Sequence, residues 1–347
     1  MIGKSTRRMA VALAAAVAAV AAVPQAYAQS GDTLKGRTVT VVVPSGPAGS
    51  YHAYCEVVSR HLGSHLPGQP TVIVNNRPGG GGATAASFMM NVASKDGTVI
   101  SMVSPGSITD PLVHPLKFDA TKFNWLGTVA SRAQMIAVWH TAPVKTVEDL
   151  KTHEITLSAS GRSDAGFVVP TLINAVLGTK MKVILGYGSG GEMSVAMERG
   201  EVQGRGAYYS AFSSTQPEWI RDNKIRFLIA VGPPVPELPN AANVRDYVKP
   251  GSIDARVVAL IELNFVVGQG FYLPPGVPAG RVAMMRKAFA DMLADPTLAA
   301  ELKKRQLDFQ PQDGAAVERA ITTAFQAADP AVIARLRQIL GTPGKKT

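Results

Sequence analysis

A single cysteine in 347 residues, Cys55, excludes an internal disulfide framework. It falls in an apolar helical pattern, where a lone thiol acts as a small buried hydrophobe. Cysteine-based metal centres are excluded with it. His61 and His65 hold an i, i+4 spacing but lack the nearby Glu or Cys that a zinc site of this kind needs, so they read as amphipathic packing. Lys and Arg outnumber Asp and Glu by 35 to 25, yet no arginine-rich or aromatic-basic stripe gathers them, and no nucleic-acid partner is expected. Lys303-Lys304-Arg305 reads as a solvated helix end. Gly79-Gly80-Gly81-Gly82 lacks the following Lys-Ser/Thr of a phosphate loop, and the turn after the first strand lacks the spaced glycines of a dinucleotide fingerprint. No motif calls for a cofactor or a metal. Past the first two dozen residues no apolar run is long enough to cross a bilayer.

What is present begins with an export signal: Lys4, Arg7 and Arg8, the apolar run Met9–Val23, then the small-x-small Ala26-Tyr27-Ala28. Cleavage is expected after Ala28, giving a periplasmic chain of 319 residues (347 minus 28). The rival, a membrane anchor, is disfavoured because the run is short, mostly alanine and ends at Pro24. Ser5–Val11 faintly resembles a twin-arginine signal, but a basic n-region alone gives such arginine pairs often, and ordinary unfolded export is favoured. Three of the ten net positive charges lie in the signal, leaving +7 on the mature chain. That field favours anionic solutes.

The remainder has the rhythm of an α/β protein. Val39–Val43 is a β-branched run stopped by Pro44, and a helix follows with Tyr54, Val57, Val58, His61 and Leu62 on one face. Thr71–Val74 is a strand, Ala83–Ala93 a small-residue helix, and Val99–Val103 a third strand. The pattern predicts further strands at Met135–Trp139, Ile155–Ser158, Lys182–Leu185 and Ile225–Val231, with helices beginning near Ser163, Gly191 and Gln216. The C-terminal part is helical, with Val282, Met285, Phe289, Met292 and Leu293 on one stripe and Asp295, Asp313 and Asp329 as N-caps.

Three glycine-rich turns join a strand end to a helix start: Pro44–Ser50, Pro78–Gly82 and Gly186–Gly191. In an open α/β sheet such turns gather at the carboxyl edge, where ligands bind. The first amides of a helix have no internal partner there and accept an anion. Ser45, Ser50, Ser160, Ser163 and Ser189 read as carboxylate donors or as helix caps. Arg77 and Arg162 have the chemistry of carboxylate clamps, with Arg77 also readable as a pin for its own loop. Tyr51, Tyr187, Tyr208 and Tyr209 read as pocket walls or as packing.

Together these residues resemble the extracytoplasmic receptors of tripartite tricarboxylate transporters, the Bug or TctC-like family. The matching motifs are Val43-Pro44-Ser45-Gly46-Pro47-Ala48-Gly49, Asn76-Arg77-Pro78-Gly79-Gly80-Gly81-Gly82, Asp96-Gly97, Tyr187-Gly188-Ser189-Gly190-Gly191, Gly200-Glu201-Val202 and Pro274-Pro275-Gly276-Val277-Pro278, in the family's order. The resemblance implies a periplasmic-binding-protein-like, type 2 Venus flytrap. The lobe boundaries expected are 29–135 with 266–347 for lobe 1 and 136–265 for lobe 2, a hinge and ligand cleft lying between them. It implies a monomer that hands a small organic carboxylate to membrane transporter subunits and catalyses nothing. The implied contacts come from Ser45, Gly46, Ala48, Gly49, Ser50, Tyr51, His52, Arg77, Gly79, Gly80 and Gly81 on the first lobe. The second lobe adds Ser160, Arg162, Ser163, Asp164, Tyr187, Gly188, Ser189, Gly190 and Tyr208. Three positions depart from the family pattern: Ala48 for Gly, His52 for a frequent Asp, and Asn75 for Glu. His52 points away from an acidic amino acid ligand and towards a plain or aromatic carboxylate, or else is a surface residue of the helix start.

Two rivals remain open. Gly161-Arg162-Ser163-Asp164-Ala165 nearly matches a nucleophile elbow, but all six histidines precede Ser163, against the α/β-hydrolase order. A receptor that signals to a membrane kinase would use the same closed lobes.

Overall fold

The structure, a computed structural model, describes residues 33–104 and 106–341. The expected signal peptide and its cleavage point lie outside the described residues. Among the described residues no helix is long and apolar enough to cross a membrane.

Two six-stranded mixed sheets organise the chain. The first has the order β12-β4-β11-β3-β1-β2, from β1 (Thr38–Val43), β2 (Thr71–Asn76), β3 (Val99–Met102), β4 (Asn124–Thr128), β11 (Gly270–Leu273) and β12 (Gln312–Asp313). Strand β1 pairs in parallel with both β2 and β3. Its continuous valine run follows from burial on both faces: Val39, Val41 and Val43 enter a core with α1 (Ser50–His65) and helix Ala279–Leu293. Val42 points the other way, towards α2 (Ala83–Asn91) and helix Gly314–Ala327. Cys55 is buried within α1, as expected.

The second sheet has the order β10-β9-β5-β8-β6-β7. Its strands are β5 (Gln134–Trp139), β6 (Ile155–Ala159), β7 (Met181–Leu185), β8 (Gly204–Ala207), β9 (Ile225–Val231) and β10 (Ala242–Asn243). Strand β6 is parallel to β7 and β8, whereas β5 runs antiparallel to β8 and β9. Helix α3 (Ala165–Leu177) covers one face and α4 (Gly190–Glu198) the other.

The chain passes between the sheets at residues 129–133 and again along helix Ile253–Val267. That helix sends Val257, Ile261 and Phe265 into the second-sheet core and Leu263 and Val267 into the first. The last helix, Pro330–Leu340, expected with lobe 1, buries Val332, Leu336 and Leu340 in the second-sheet core. Its stripe has an apolar partner in Ile253–Val267 and α3, which the sequence of either element does not reveal.

Candidate ligand-binding site

Parallel strands place their following loops at one edge. In the first sheet these are the loops after β1, β2 and β3, and in the second the loops after β6, β7 and β8. The antiparallel β5 contributes its start, Gln134, to the same edge. The two edges touch. The Gly46 amide donates to the Gly188 carbonyl at 2.9 Å, and the Ser163 hydroxyl donates to the Asp110 carboxylate. Elsewhere backbone meets backbone: a Cβ on Gly81 would lie 2.2 Å from the Asp164 amide nitrogen, one on Gly106 1.9 Å from the Ser163 carbonyl oxygen, and one on Gly161 2.4 Å from the Gly81 amide nitrogen. No side chain fits in these places.

Beside this contact the edges border a cleft of about 70 Å³, room for roughly five water-sized groups at ~10–15 Å³ each. One wall is Ser45, Ala48, Gly49, Ser50 and Tyr51, and the opposite wall includes Ser160, Asp164, Gly188, Ser189, Gly190 and Tyr208. Six further wall residues were not anticipated: Gln134, Met193, Arg205, Gly206, Ala207 and Ala211. Ala48 adopts φ 69°, a left-handed conformation that glycine takes freely and alanine resists.

Arg205 is the wall's cation. It lies on β8, is only 4% exposed, and has no acidic residue in salt-bridge range among the described residues. One guanidinium nitrogen donates to the Gly190 carbonyl, the group stacks 4.8 Å from the Phe212 ring centre, and Nε has no partner. Burial pulls its pKa down to about 10, against the opposing influence of Asp164 and Tyr51. A buried cation in this state calls for an anion.

The helix starts supply further donors. Gly49 caps α1 without a side-chain hydrogen bond, which leaves the first amides of that helix for a ligand or solvent. Ser189 caps α4 by accepting from the Glu192 amide at 3.2 Å, so this serine is both cap and wall. Asp164 caps α3 through the Gly166 amide at 2.8 Å, while its other oxygen accepts from the Ser160 amide and hydroxyl at 2.7 and 2.6 Å. Tyr51 and Tyr208 close one end with ring centroids 6.5 Å apart. Burial pushes the Tyr208 phenol up to about 12 although Arg132 opposes it, and burial raises Tyr51 well above the ordinary phenol range.

The other expected contacts stand away from the cavity wall. Arg77 stacks 3.7 Å over the Phe88 ring and its amide donates to the Val43 carbonyl, so it pins its own loop. Arg162 is exposed, 5.3 Å over Phe167. His52 faces Glu56 on its own helix at 3.5 Å. Tyr187 packs against the cluster around Trp219. Gly46, Gly80, Gly81 and Ser163 belong to the contact between the edges, and Gly79 packs on Thr84. Ser163 has a carboxylate, not an imidazole, at its hydroxyl; His114 sits 3.6 Å from the far oxygen of Asp110. This is not the order of a charge-relay triad. His61 and His65 face Glu301 and Asp295 at 2.8 and 3.2 Å.

No family model matches the chain. A curated relative, the UPF0065 protein in the tcbD-tcbE intergenic region of Pseudomonas sp. (strain P51), is 33% identical over 88 residues, a stretch spanning 25% of either chain. The fold is that of periplasmic binding proteins. BugD superposes with a TM-score of 0.71 at 19% identity, covering 88% of this chain and 98% of that one. MatC from Rhodopseudomonas palustris, solved with bound malate, gives 0.67 at 18% identity, covering 88% and 99%.

Proposed function

We propose that this chain is a periplasmic solute-binding protein of the Bug and TctC-like kind, which captures a small organic carboxylate for a tripartite tricarboxylate-type membrane transporter and performs no chemistry. The observation that carries the reading is Arg205: a buried cation without a carboxylate in ion-pair range among the described residues, in the wall of a cleft beside the amide-bearing starts of α1 and α4. Asp164 in the same wall balances this charge only at a distance, so a ligand anion placed directly on the guanidinium gains affinity. The malate bound by a neighbour of the same fold agrees in chemistry.

The sequence of events follows from which groups belong to which sheet. In an open form the acid meets the free amides of α1 and the hydroxyls of Ser45 and Ser50. Closure then brings Arg205, Ser189 and the α4 amides over it. Because those second-sheet groups touch ligand only after closure, they supply the differential contacts that a ligand-driven shift requires. The closed edges then form the surface offered to the transporter.

A thermal-shift screen against mono-, di- and tricarboxylates tests the reading, since a ligand that binds only the native state adds about 2.7 kcal/mol at one hundred times its Kd. At least one acid should raise Tm, and Arg205→Met should abolish that rise while leaving the ligand-free Tm equal or higher. Failure of every organic acid, with a neutral or cationic compound binding instead, would overturn the proposal.

A further inference from the structure

We propose that Gln134 determines which acid this cleft accepts: its side-chain amide pairs with a carboxamide, so the ligand carries a carboxylate at one end and a neutral amide at the other. The inference rests on the carboxylate-binding reading above and narrows it.

Strand geometry sets the two ends apart. Across β5 and β8, Ile136 pairs with Gly206 and Ala137 with Arg205, and neighbours along a strand point to opposite faces. Arg205 turns to the face covered by α4, where it meets the Gly190 carbonyl. Gly206 faces α3, since a Cβ there would lie 2.9 Å from the Gly166 Cα and 3.0 Å from Nε2 of Gln134. Gln134 stands two residues before Ile136 on β5 and shares that face. The missing side chain of Gly206 leaves its amide room. Both Gln134 and Arg205 line the cleft, so a ligand whose carboxylate lies on Arg205 crosses the sheet edge to reach Gln134.

The chemistry of the far end follows from what Gln134 lacks. The residue is 3% exposed, yet neither its side-chain oxygen nor its nitrogen is sealed from the cleft, and neither has a hydrogen-bond partner among the described residues. Polar groups in so buried a side chain are ordinarily paired. Whichever way the amide is turned, it offers the cleft one acceptor beside one N–H donor. A carboxamide presents the same two groups in complementary order and satisfies both at once. A hydroxyl lies in line with one of them. A carboxylate answers the N–H alone, leaves the glutamine oxygen against an anion, and stands on the side where the Asp164 carboxylate caps α3. An ammonium leaves the N–H against a cation.

Matched acids test this by isothermal titration of the purified protein, at several chain lengths because the half-open cleft does not fix one. The sets are butanoate, 4-hydroxybutanoate, succinamate and succinate, then pentanoate, 5-hydroxypentanoate, glutaramate and glutarate, then hexanoate, 6-hydroxyhexanoate, adipamate and adipate. At the length that fits, the half-amide should bind about fivefold tighter than the hydroxy acid, the worth of one hydrogen bond, and about 25-fold tighter than the plain acid, the worth of two. It should exceed the diacid by tenfold or more, since like-charge juxtaposition is heavily penalised. Gln134→Met keeps the length of the side chain without its polar atoms, and should bring the ratio of half-amide to hydroxy acid to about one. A diacid or plain acid that binds as tightly as the half-amide at every length, or an amide preference that survives Gln134→Met, overturns the inference, and the wild-type order decides it even if the variant does not fold. If acids bind and Arg205→Met weakens them, yet no amide preference appears, this inference fails while the carboxylate reading stands. If no acid binds, both fail together.

Discussion

Gly106→Ala isolates closure from every other property of the site. Gly106 opens the short helix Gly106–Thr109 with φ outside the left-handed region, so alanine suits its backbone at least as well. Its added Cβ, however, would lie 1.9 Å from the Ser163 carbonyl oxygen, where real contacts do not fall below 3.0 Å. The edges must then part by about 1.1 Å, the difference of those two distances. Two contacts depend on that approach, the Gly46 amide to Gly188 carbonyl bond and the Ser163 hydroxyl to Asp110 bond. At about 1 kcal/mol for the first and up to ~2 for the second, which is charge-assisted, closure loses about 2–3 kcal/mol. Apparent affinity falls with the population of the closed state, so Kd should rise by about 30- to 150-fold.

The assay is titration calorimetry with an acid identified by the thermal screen, paired with small-angle scattering with and without ligand. Wild-type protein should contract on binding and the variant should not, while its ligand-free melting curve is unchanged. Gly280→Ala is the control, because its Cβ meets nothing within 4 Å. Wild-type affinity in Gly106→Ala would refute the assignment of this contact to the ligand-bound state.

Three further outcomes follow from the same geometry. Ser189→Asp preserves the α4 cap, since aspartate caps as well as serine, but sets a negative charge on a wall residue 3% exposed; anion binding should vanish with the ligand-free Tm nearly unchanged. Arg132→Met should cost about 3 kcal/mol or more, on the order of 10 °C in Tm, because it strips Tyr54, Ser210 and Asp308 of one shared buried donor; an unchanged melting curve would contradict this. For Asp96, burial is outweighed by the Thr98 hydroxyl and amide, Ser94 and Arg37, which together bring the carboxyl down to about 2. A depressed acid stabilises the fold above its ordinary pKa near 4 and loses that contribution as pH falls towards 2, and exposure holds it below about 1 kcal/mol. Asp96→Asn should therefore lower the urea midpoint at pH 7 and converge on wild type near pH 2.

The elements legible in the sequence are those whose own side chains determine their environment. Strand β1 and the face of α1 carrying Tyr54, Val57, Val58 and Leu62 were readable because burial on both faces, or on one, leaves a pattern of apolar residues. The Asp295, Asp313 and Asp329 caps were readable because a cap is a local bond, here to the amides of Thr297, Ala316 and Val332. Strand β8 was not readable. Gly204-Arg205-Gly206-Ala207 has no β-branched residue, because Gly204 lies where a Cβ would be 2.4 Å from the Ala137 carbonyl oxygen, and Gly206 where it would be 2.9 Å from the Gly166 Cα. The strand that delivers the buried cation thus looks like a loop for the same reason that it fits.

The glycine-rich turns pose the same difficulty in another form. In sequence all of them present one signal, backbone free to approach an anion. In space they divide by what approaches: at Gly49 and Gly190 the backbone borders the cavity, whereas at Gly46 and Gly81 it meets backbone from the opposite edge. Both uses require a missing side chain, so composition cannot separate a ligand cradle from a closing surface. Function does separate them. A substituent at the first kind competes with the ligand itself, whereas one at the second bars the closed state and weakens every ligand alike. Selectivity among acids should therefore respond to the groups bordering the cavity, Arg205 and Ser189 above all, and stay constant when the contact between the edges is altered.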